Sequence, residues 1–253
     1  MKNLAVMVCL AVSMQVAKAE TISLRADTWC PYNCDPKAPN PGYMIEIAKA
    51  ALEPSGNKID YETLNWARSI AESREGKYTG IVGAAKTDAE DFVYPSTPLG
   101  VSTNCFFVKK DSPWVFKDIK SLAGITIGVI KDYTYTGTID KYIIDNAKDS
   151  KKVDIVSGDN PLELNLKKLQ AGRIGAFIED SSVVSSYMFT KKMADTVKTA
   201  GCVKDTEIYV AFSPKDPKAK EHAKLVSDKL LSMRKDGSLK TLLSKYGISD
   251  WKK

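Results

Sequence analysis

Two stretches about a hundred residues apart repeat the same order of strand-like and helix-like apolar spacing, and this limits the possible folds more than any other feature. In residues 59–87, IDYETLNWARSIAESREGKYTGIVGAAKT, Ile59, Tyr61 and Leu64 are spaced as a short strand. Ala67, Ile70 and Ala71 then fall at helical spacing, Gly76 is placed to stop that helix, and Ile81 and Val82 suit a buried parallel strand. In the second stretch, Val153, Ile155 and Val156 make a strand, and Asn160-Pro161 starts a helix lined by Leu162, Leu166 and Leu169. Gly172 ends that helix, and Ile174, Ala176, Phe177 and Ile178 make the next strand. Each stretch is a right-handed βαβ unit, and together they predict two lobes built alike. Ligands of open α/β sheets sit beyond the carboxyl ends of such strands. That places Trp66 and Arg68 at one strand exit and Lys86 and Thr87 at the next, with Glu179 and Asp180 as the second lobe's counterparts.

The first 19 residues stand apart from this pattern. Lys2 gives a positive start, residues 4–12 form a short apolar run, and Ala17-Lys18-Ala19 fits a cleavage site, predicting an export leader removed after Ala19 and a periplasmic protein. The run is too short to span a bilayer, and Cys9 follows Val8, whereas a lipid-attachment cysteine follows a small residue. Removing the leader lowers the formal charge from +6 to about +4, with both signs interspersed and no basic stripe, which argues against nucleic acid as a partner.

Four cysteines remain: Cys30, Cys34, Cys105 and Cys202. In an oxidising compartment they read as two disulfides with three possible connectivities. Cys30 and Cys34 are near enough to bridge a tight loop, which would leave Cys105 to join Cys202. A redox dithiol usually has C-x-x-C spacing, and a zinc site would need more than the lone His222, so neither a cofactor nor a metal is expected.

In chain order, residues 21–26 read as a strand, 30–42 as a loop and 44–52 as a helix ended by Pro54 and Gly56. Residues 92–100 read as a loop, 105–109 as a strand, 121–130 as a turn and strand, 131–137 as a Tyr- and Thr-rich loop, and 138–147 as a helix. Beyond the second βαβ unit come a helix over 182–189, a strand over 206–213 and two helices over 219–235 and 238–246.

Several of these stretches together resemble the periplasmic solute-binding proteins of ABC transporters, in the branch of the polar amino acid binders (bacterial extracellular solute-binding proteins, family 3). The motifs are the opening strand and aromatic-proline loop at Asp27-Thr28-Trp29-Cys30-Pro31-Tyr32, the helix start Gly42-Tyr43-Met44-Ile45-Glu46, and Trp66 with the Gly76-Lys77-Tyr78-Thr79-Gly80 turn. The closing LLSMRKDGSLKTLLSKYG over residues 230–247 is the most specific of them. The resemblance implies an α/β, two-lobe periplasmic binding protein fold (type II). Each lobe would be an open, mostly parallel sheet flanked by helices, with two hinge crossings near residues 105–109 and 203–212. Lobe 1 would then comprise residues 20–105 and 206–253 and lobe 2 residues 106–205, with a Cys105–Cys202 bridge close to the hinge. It further implies a monomer that closes on a small molecule and delivers it to a membrane permease.

The departure from that pattern bears on the ligand. Where the amino acid binders carry a Thr-x-x-Arg whose Arg clamps the ligand carboxylate, this chain reads Thr87-Asp88-Ala89-Glu90-Asp91, with no Lys or Arg between Lys86 and Lys109. A bidentate guanidinium is absent at that point. The acid that holds the ligand's amino group in the family has its match at Asp180. Trp29, Tyr32, Trp66, Tyr133 and Tyr135 fall in loops or at strand exits where aromatics could stack on a ring, a sugar face or a cation, or pack the loops together, and Asp27 could face the cleft or cap its loop. Arg68 could supply a cation or pair with Glu72 at helical spacing, Lys86 and Thr87 close the first exit, and Thr134, Thr136, Gly137 and Thr138 could offer backbone N–H groups to an anion or form a plain capped turn. An acid-plus-aromatic cleft favours an amine-bearing or neutral polar ligand over a simple carboxylate. Hydrolase, P-loop and zincin motifs are missing, so an enzyme is not expected. The alternatives are a cyclohexadienyl-dehydratase-like enzyme on this fold, or a ligand-sensing partner of a membrane receptor.

Overall fold

The computed structural model describes residues 19–158, 160–193 and 196–252; apart from Ala19, the expected leader lies outside the described residues. The chain opens with β1 (Thr21–Ala26), α1 (Tyr43–Leu52), β2 (Lys58–Thr63), α2 (Trp66–Arg74), β3 (Gly80–Ala84) and β4 (Gly100–Ser102). It continues through β5 (Asn104–Lys109), β6 (Ile127–Ile130), α3 (Gly137–Asn146), β7 (Val153–Val156), α4 (Pro161–Gln170), β8 (Ala176–Asp180), α5 (Ser181–Thr190) and β9 (Val197–Cys202). It closes with β10 (Thr206–Phe212), α6 (Ala219–Asp236) and α7 (Ser238–Ser244).

Among the described residues, ten strands form two five-stranded sheets of one design, ordered β2-β1-β3-β10-β4 and β7-β6-β8-β5-β9. Strands of the two βαβ units run parallel, β1 with β2 and β3, and β6 with β7 and β8. The fourth place in each sheet is taken by an antiparallel strand, β10 beside β3 and β5 beside β8. The sheets are therefore mixed, because β5 and β10 each follow directly on a crossing from the other lobe and enter from the opposite end. The crossings are short: Thr103 alone separates β4 from β5, and residues 203–205 separate β9 from β10. The first lies upstream of the expected 105–109, because Asn104 is already paired with Asp180 in the second sheet. β4, within the expected 92–100 loop and beyond it, adds an edge strand that the sequence reading lacks.

Local chemistry accounts for most elements. β1 buries Ile22 and Leu24, and α1 turns Met44, Ile45, Ala48 and Leu52 inward. α4 starts with Pro161 after Asn160 and buries Leu162, Leu166 and Leu169. Gly76 and Gly172 adopt φ values of 85° and 70°, the left-handed geometry that lets the chain leave α2 and α4. The inward face of α2 differs from expectation: Trp66, Ser69 and Ser73 are buried, whereas Ala71 is exposed. Bulky Trp66 sets the rotation of this short helix, and the two serines are small enough to lie against the sheet. Cys30 is bonded to Cys34, and Cys105 to Cys202 directly opposite it on β9. The C-terminal tail returns to α1, where the Tyr246 hydroxyl donates to Glu46 at 2.5 Å and accepts from the Gly42 N–H at 3.1 Å. Among the described residues, no helix is long and apolar enough to cross a membrane.

Candidate functional site

β1 and β6 hold equivalent places in the two sheets, so the residues just beyond them, Asp27 and Tyr133, face each other, and the Tyr133 hydroxyl donates to Asp27 Oδ2. The loop after Asp27 is folded tightly. Trp29 N–H donates to the Asn33 carbonyl at 2.7 Å, Asn33 Nδ2 donates to the Asp27 carbonyl at 2.7 Å, and the Cys30–Cys34 bridge closes the turn. This stacks the Trp29 ring on Tyr32 with centroids 4.3 Å apart. Both rings then reach the second lobe: Trp29 Nε1 donates to Glu179 Oε1 at 3.2 Å, and the Tyr32 hydroxyl lies 3.1 Å from Asp180 Oδ2 and 3.0 Å from the Val101 carbonyl.

Between these struts lies a cavity of about 50 Å³. Its walls carry two carboxylates, Asp27 and Asp88, and three aromatic rings, Trp29, Trp66 and Tyr133. Ser102, Asn104, Thr134 and Thr206 add polar groups, and Val82, Gly83, Ala85 and Ile208 complete the lining. None of the described residues lining it is Lys, Arg or His. At Gly83, with φ of 89°, a Cβ would stand 3.0 Å from Asn33 Oδ1 and 3.3 Å from the Trp29 ring, so the wall needs glycine there.

The electrostatics follow from burying acids together. Burial pushes the Asp27 carboxyl up to about 6, against the opposing pull of the Tyr133 hydrogen bond. Burial raises Glu179 to about 8, helped by the nearby Asp180 and Asp27 charges and opposed by the Asp180 N–H and Trp29. Asp88 is raised by burial, with a Thr134 hydroxyl near enough to offset part of it. Among the described residues, no cluster of His, Cys, Asp or Glu could hold a metal ion.

Of the residues expected at the site, Asp27, Trp29, Trp66 and Tyr133 line the cavity, and Tyr32 lies directly beneath Trp29. The structure places six others outside it. Arg68 is exposed, and its Nε donates to Glu72 at 2.7 Å along the same helix. Lys86 and Thr87 are exposed, the Lys86 Nζ standing 5.1 Å from the Tyr209 ring centroid. Tyr135 is 2% exposed in the second lobe's core, where its hydroxyl accepts from the Ile130 N–H at 2.8 Å. Thr136 precedes α3, and the Tyr135 N–H beside it is taken by Asp140 Oδ1 at 2.8 Å, which leaves a carboxylate where an anion would dock.

Asp180 is fully buried and spent on structure. Its Oδ1 accepts from the Ser182 and Val183 N–H groups at 2.8 and 3.0 Å, capping α5, and its Oδ2 accepts from the Thr103 N–H at 2.9 Å. Glu179, at the same exit, contacts the Trp29 edge instead. Asp88, Ser102, Asn104, Thr206 and Ile208 were not among the expected residues. The acid at position 88 was visible as part of the missing Thr-x-x-Arg, whereas the others sit beside the crossings, where no motif marks them.

The family model for bacterial extracellular solute-binding proteins, family 3, matches residues 24–249. The chain is 28% identical over 215 residues to a probable amino-acid-binding protein, YxeM, of Bacillus subtilis (strain 168), covering 83% of this chain and 76% of that one. A solved structure described by glutathione import via GshT and the cystine ABC importer TcyBC of Streptococcus mutans superposes with a TM-score of 0.74, at 20% identity, over 90% of this chain and 95% of that one. A histidine kinase sensor domain with similarity to periplasmic binding proteins follows at a TM-score of 0.71 and 17% identity, over 89% of this chain and 95% of that one.

Proposed function

Because the chain belongs to family 3 of the bacterial extracellular solute-binding proteins, we propose that it captures a small polar solute between its lobes and delivers it to an ABC transporter permease. In this reading the chain is exported on its leader, cleaved after Ala19, works in the periplasm as a monomer, and catalyses no reaction. With the crossing at Thr103 the lobe boundary moves up from residue 105, so the lobes are residues 20–103 with 206–253, and residues 104–205. Asp27, Trp29, Trp66 and Tyr133 contact the solute directly, and Tyr32 and Asp180 act behind them as hinge struts. The solute is amino-acid-like, amine-bearing or neutral polar.

One observation carries this most directly: an aromatic-walled cavity lies where direct hydrogen bonds join the lobes, Tyr133 to Asp27 and Trp29 to Glu179. Closing two rigid lobes over such a cavity buries a ligand on all sides, which is how hinge-closing binders hold small molecules. The test is a thermal-shift panel on oxidised protein, unfolded and refolded to strip any ligand, covering amino acids, amines, sugars, dicarboxylates and prephenate. A ligand at 100 times its dissociation constant adds about 2.7 kcal/mol, a rise of about 5–11 °C for a chain of this size. A stable shift with one class supports solute binding. A prephenate shift that fades as product accumulates would move the assignment to a dehydratase.

A further inference from the structure

We propose that the cleft is built for a small organic cation that bears N–H groups and no carboxylate, with Asp88 as its anchor. The inference rests on the solute-binding reading above and narrows its ligand class.

Asp88 is the open acid of the cavity. A short turn holds it: the Asp88 N–H donates to the Ala85 carbonyl at 3.1 Å, and Asp88 Oδ2 accepts from the Ala85 N–H at 2.8 Å. Its Oδ1 is buried without a hydrogen-bond partner, and the Thr134 hydroxyl in the same wall is the side-chain donor near the carboxyl. A buried carboxylate oxygen without a donor is costly, and a donor arriving from the cavity removes that cost. The other acids have partners already. Asp27 receives the Tyr133 hydroxyl, and Asp180 receives three backbone N–H groups as well as standing beside the Tyr32 hydroxyl. Ser102 Oγ, on a residue only 3% exposed, also lines the cavity without a partner, although it lies near enough to Asp180 to ease that group's ionisation. A second unpartnered polar atom suits a ligand with further hydrogen-bonding groups.

A ligand carboxylate finds no cation among the described residues lining the cavity. The cations nearest along the chain lie outside the cavity: Lys86 is exposed with its Nζ 5.1 Å from the Tyr209 ring centroid, Arg74 makes a forked pair with Asp91 at 2.8 and 3.0 Å, and Arg68 is paired with Glu72. A carboxylate in the cavity would sit against Asp27 and Asp88, desolvated and repelled. A cation gains twice, from the Asp88 carboxylate and from the faces of Trp29, Trp66 and Tyr133. The open oxygen needs a hydrogen-bond donor, so an ammonium or guanidinium with N–H groups fits it and a quaternary ammonium does not.

The test is calorimetric titration of the stripped wild-type protein with amino acids and their decarboxylated amines: arginine and agmatine, ornithine and putrescine, lysine and cadaverine. Choline, glutamine, a sugar set and dicarboxylates complete the panel. The expected result is that at least one amine binds about tenfold or more tighter than its parent amino acid, and tighter than choline. Asp88→Asn, shown to be folded by its circular dichroism, should weaken that amine about 30-fold or more. An amino acid binding as tightly as its amine would overturn the inference. If glutamine, a sugar or a dicarboxylate binds and no amine does, the inference falls and solute binding stands; if nothing binds the stripped protein, both fall. The wild-type pairs decide the question even if Asp88→Asn fails to fold.

Discussion

Glu179 shows what burying acids around a cleft does to the molecule that carries them. Its side chain is 1% exposed, and its carboxyl is raised from an ordinary 4.5 to about 8. A raised carboxyl favours the fold while the unfolded chain is also protonated, so its contribution is complete below about pH 4.5. It is lost as pH rises through about 8. Asp27 acts in the same direction, over a window that ends near 6. Glu179→Gln keeps an oxygen for the Trp29 Nε1 and Asp180 N–H donors and cannot ionise. It should therefore leave the melting temperature nearly unchanged at pH 4 and raise it at pH 8.5. Relieving about 1–2 kcal/mol corresponds to about 2–8 °C. Melting curves at the two pH values check this, and an equal loss at both would show that the carboxylate itself is needed. Tyr32→Phe tests the neighbouring strut. It removes the hydroxyl serving Asp180 and Val101, and should cost about 1–2 kcal/mol in denaturant unfolding while leaving the ring stacked under Trp29.

At the scale of single elements, α2 decides how Trp66 meets the cavity. Its cap is Asn65, whose side chain accepts from the Arg68 N–H at 3.3 Å. Asn65→Ala should cost about 1 kcal/mol and loosen Trp66, seen as a lower melting temperature and greater quenching of tryptophan fluorescence. Most elements were legible in the sequence, β4 and β9 excepted: alternation marked β1, Asn160-Pro161 and three leucines marked α4, and glycines marked the ends of both βαβ helices. The exits of the strands were legible too, and four of the residues that line the cavity, Asp27, Trp29, Trp66 and Tyr133, came from them. What was not legible was which side chain at an exit turns inward. Neighbouring residues in a loop differ by a turn that no period encodes, so Thr87 faces solvent and Asp88 the cavity. Aromatic content does not separate Tyr133, at the cavity, from Tyr135, in the core. Ser69 and Ser73, unmarked by any apolar period, form the inward face of α2.

Taken whole, the molecule is two copies of one sheet plan joined at two short crossings, and the two disulfides act on different parts of it. Cys105 and Cys202 face each other on β5 and β9 beside the crossings, 97 residues apart in sequence. The Thr103 side chain ties the same region, donating to Asp205 at 2.8 Å across from one crossing to the other. Cys30 and Cys34 are only 4 residues apart, yet they close the turn that aims Trp29 and Tyr32 at the second lobe. In the chain-entropy account, closing the short loop is worth about 2 kcal/mol and closing the long one about 4.7. The two bridges should therefore separate by readout. Replacing Cys105 and Cys202 with Ser should lower the melting temperature by about twice as much as replacing Cys30 and Cys34, and leave ligand affinity nearly intact while the protein is folded. Replacing Cys30 and Cys34 should cost less stability and weaken binding by about tenfold or more, because the Trp29 wall loses the turn that sets its angle. Melting curves and titrations on both double variants give the comparison. Equal losses of affinity would mean that the crossings, and not the aromatic turn, set the geometry of the cleft.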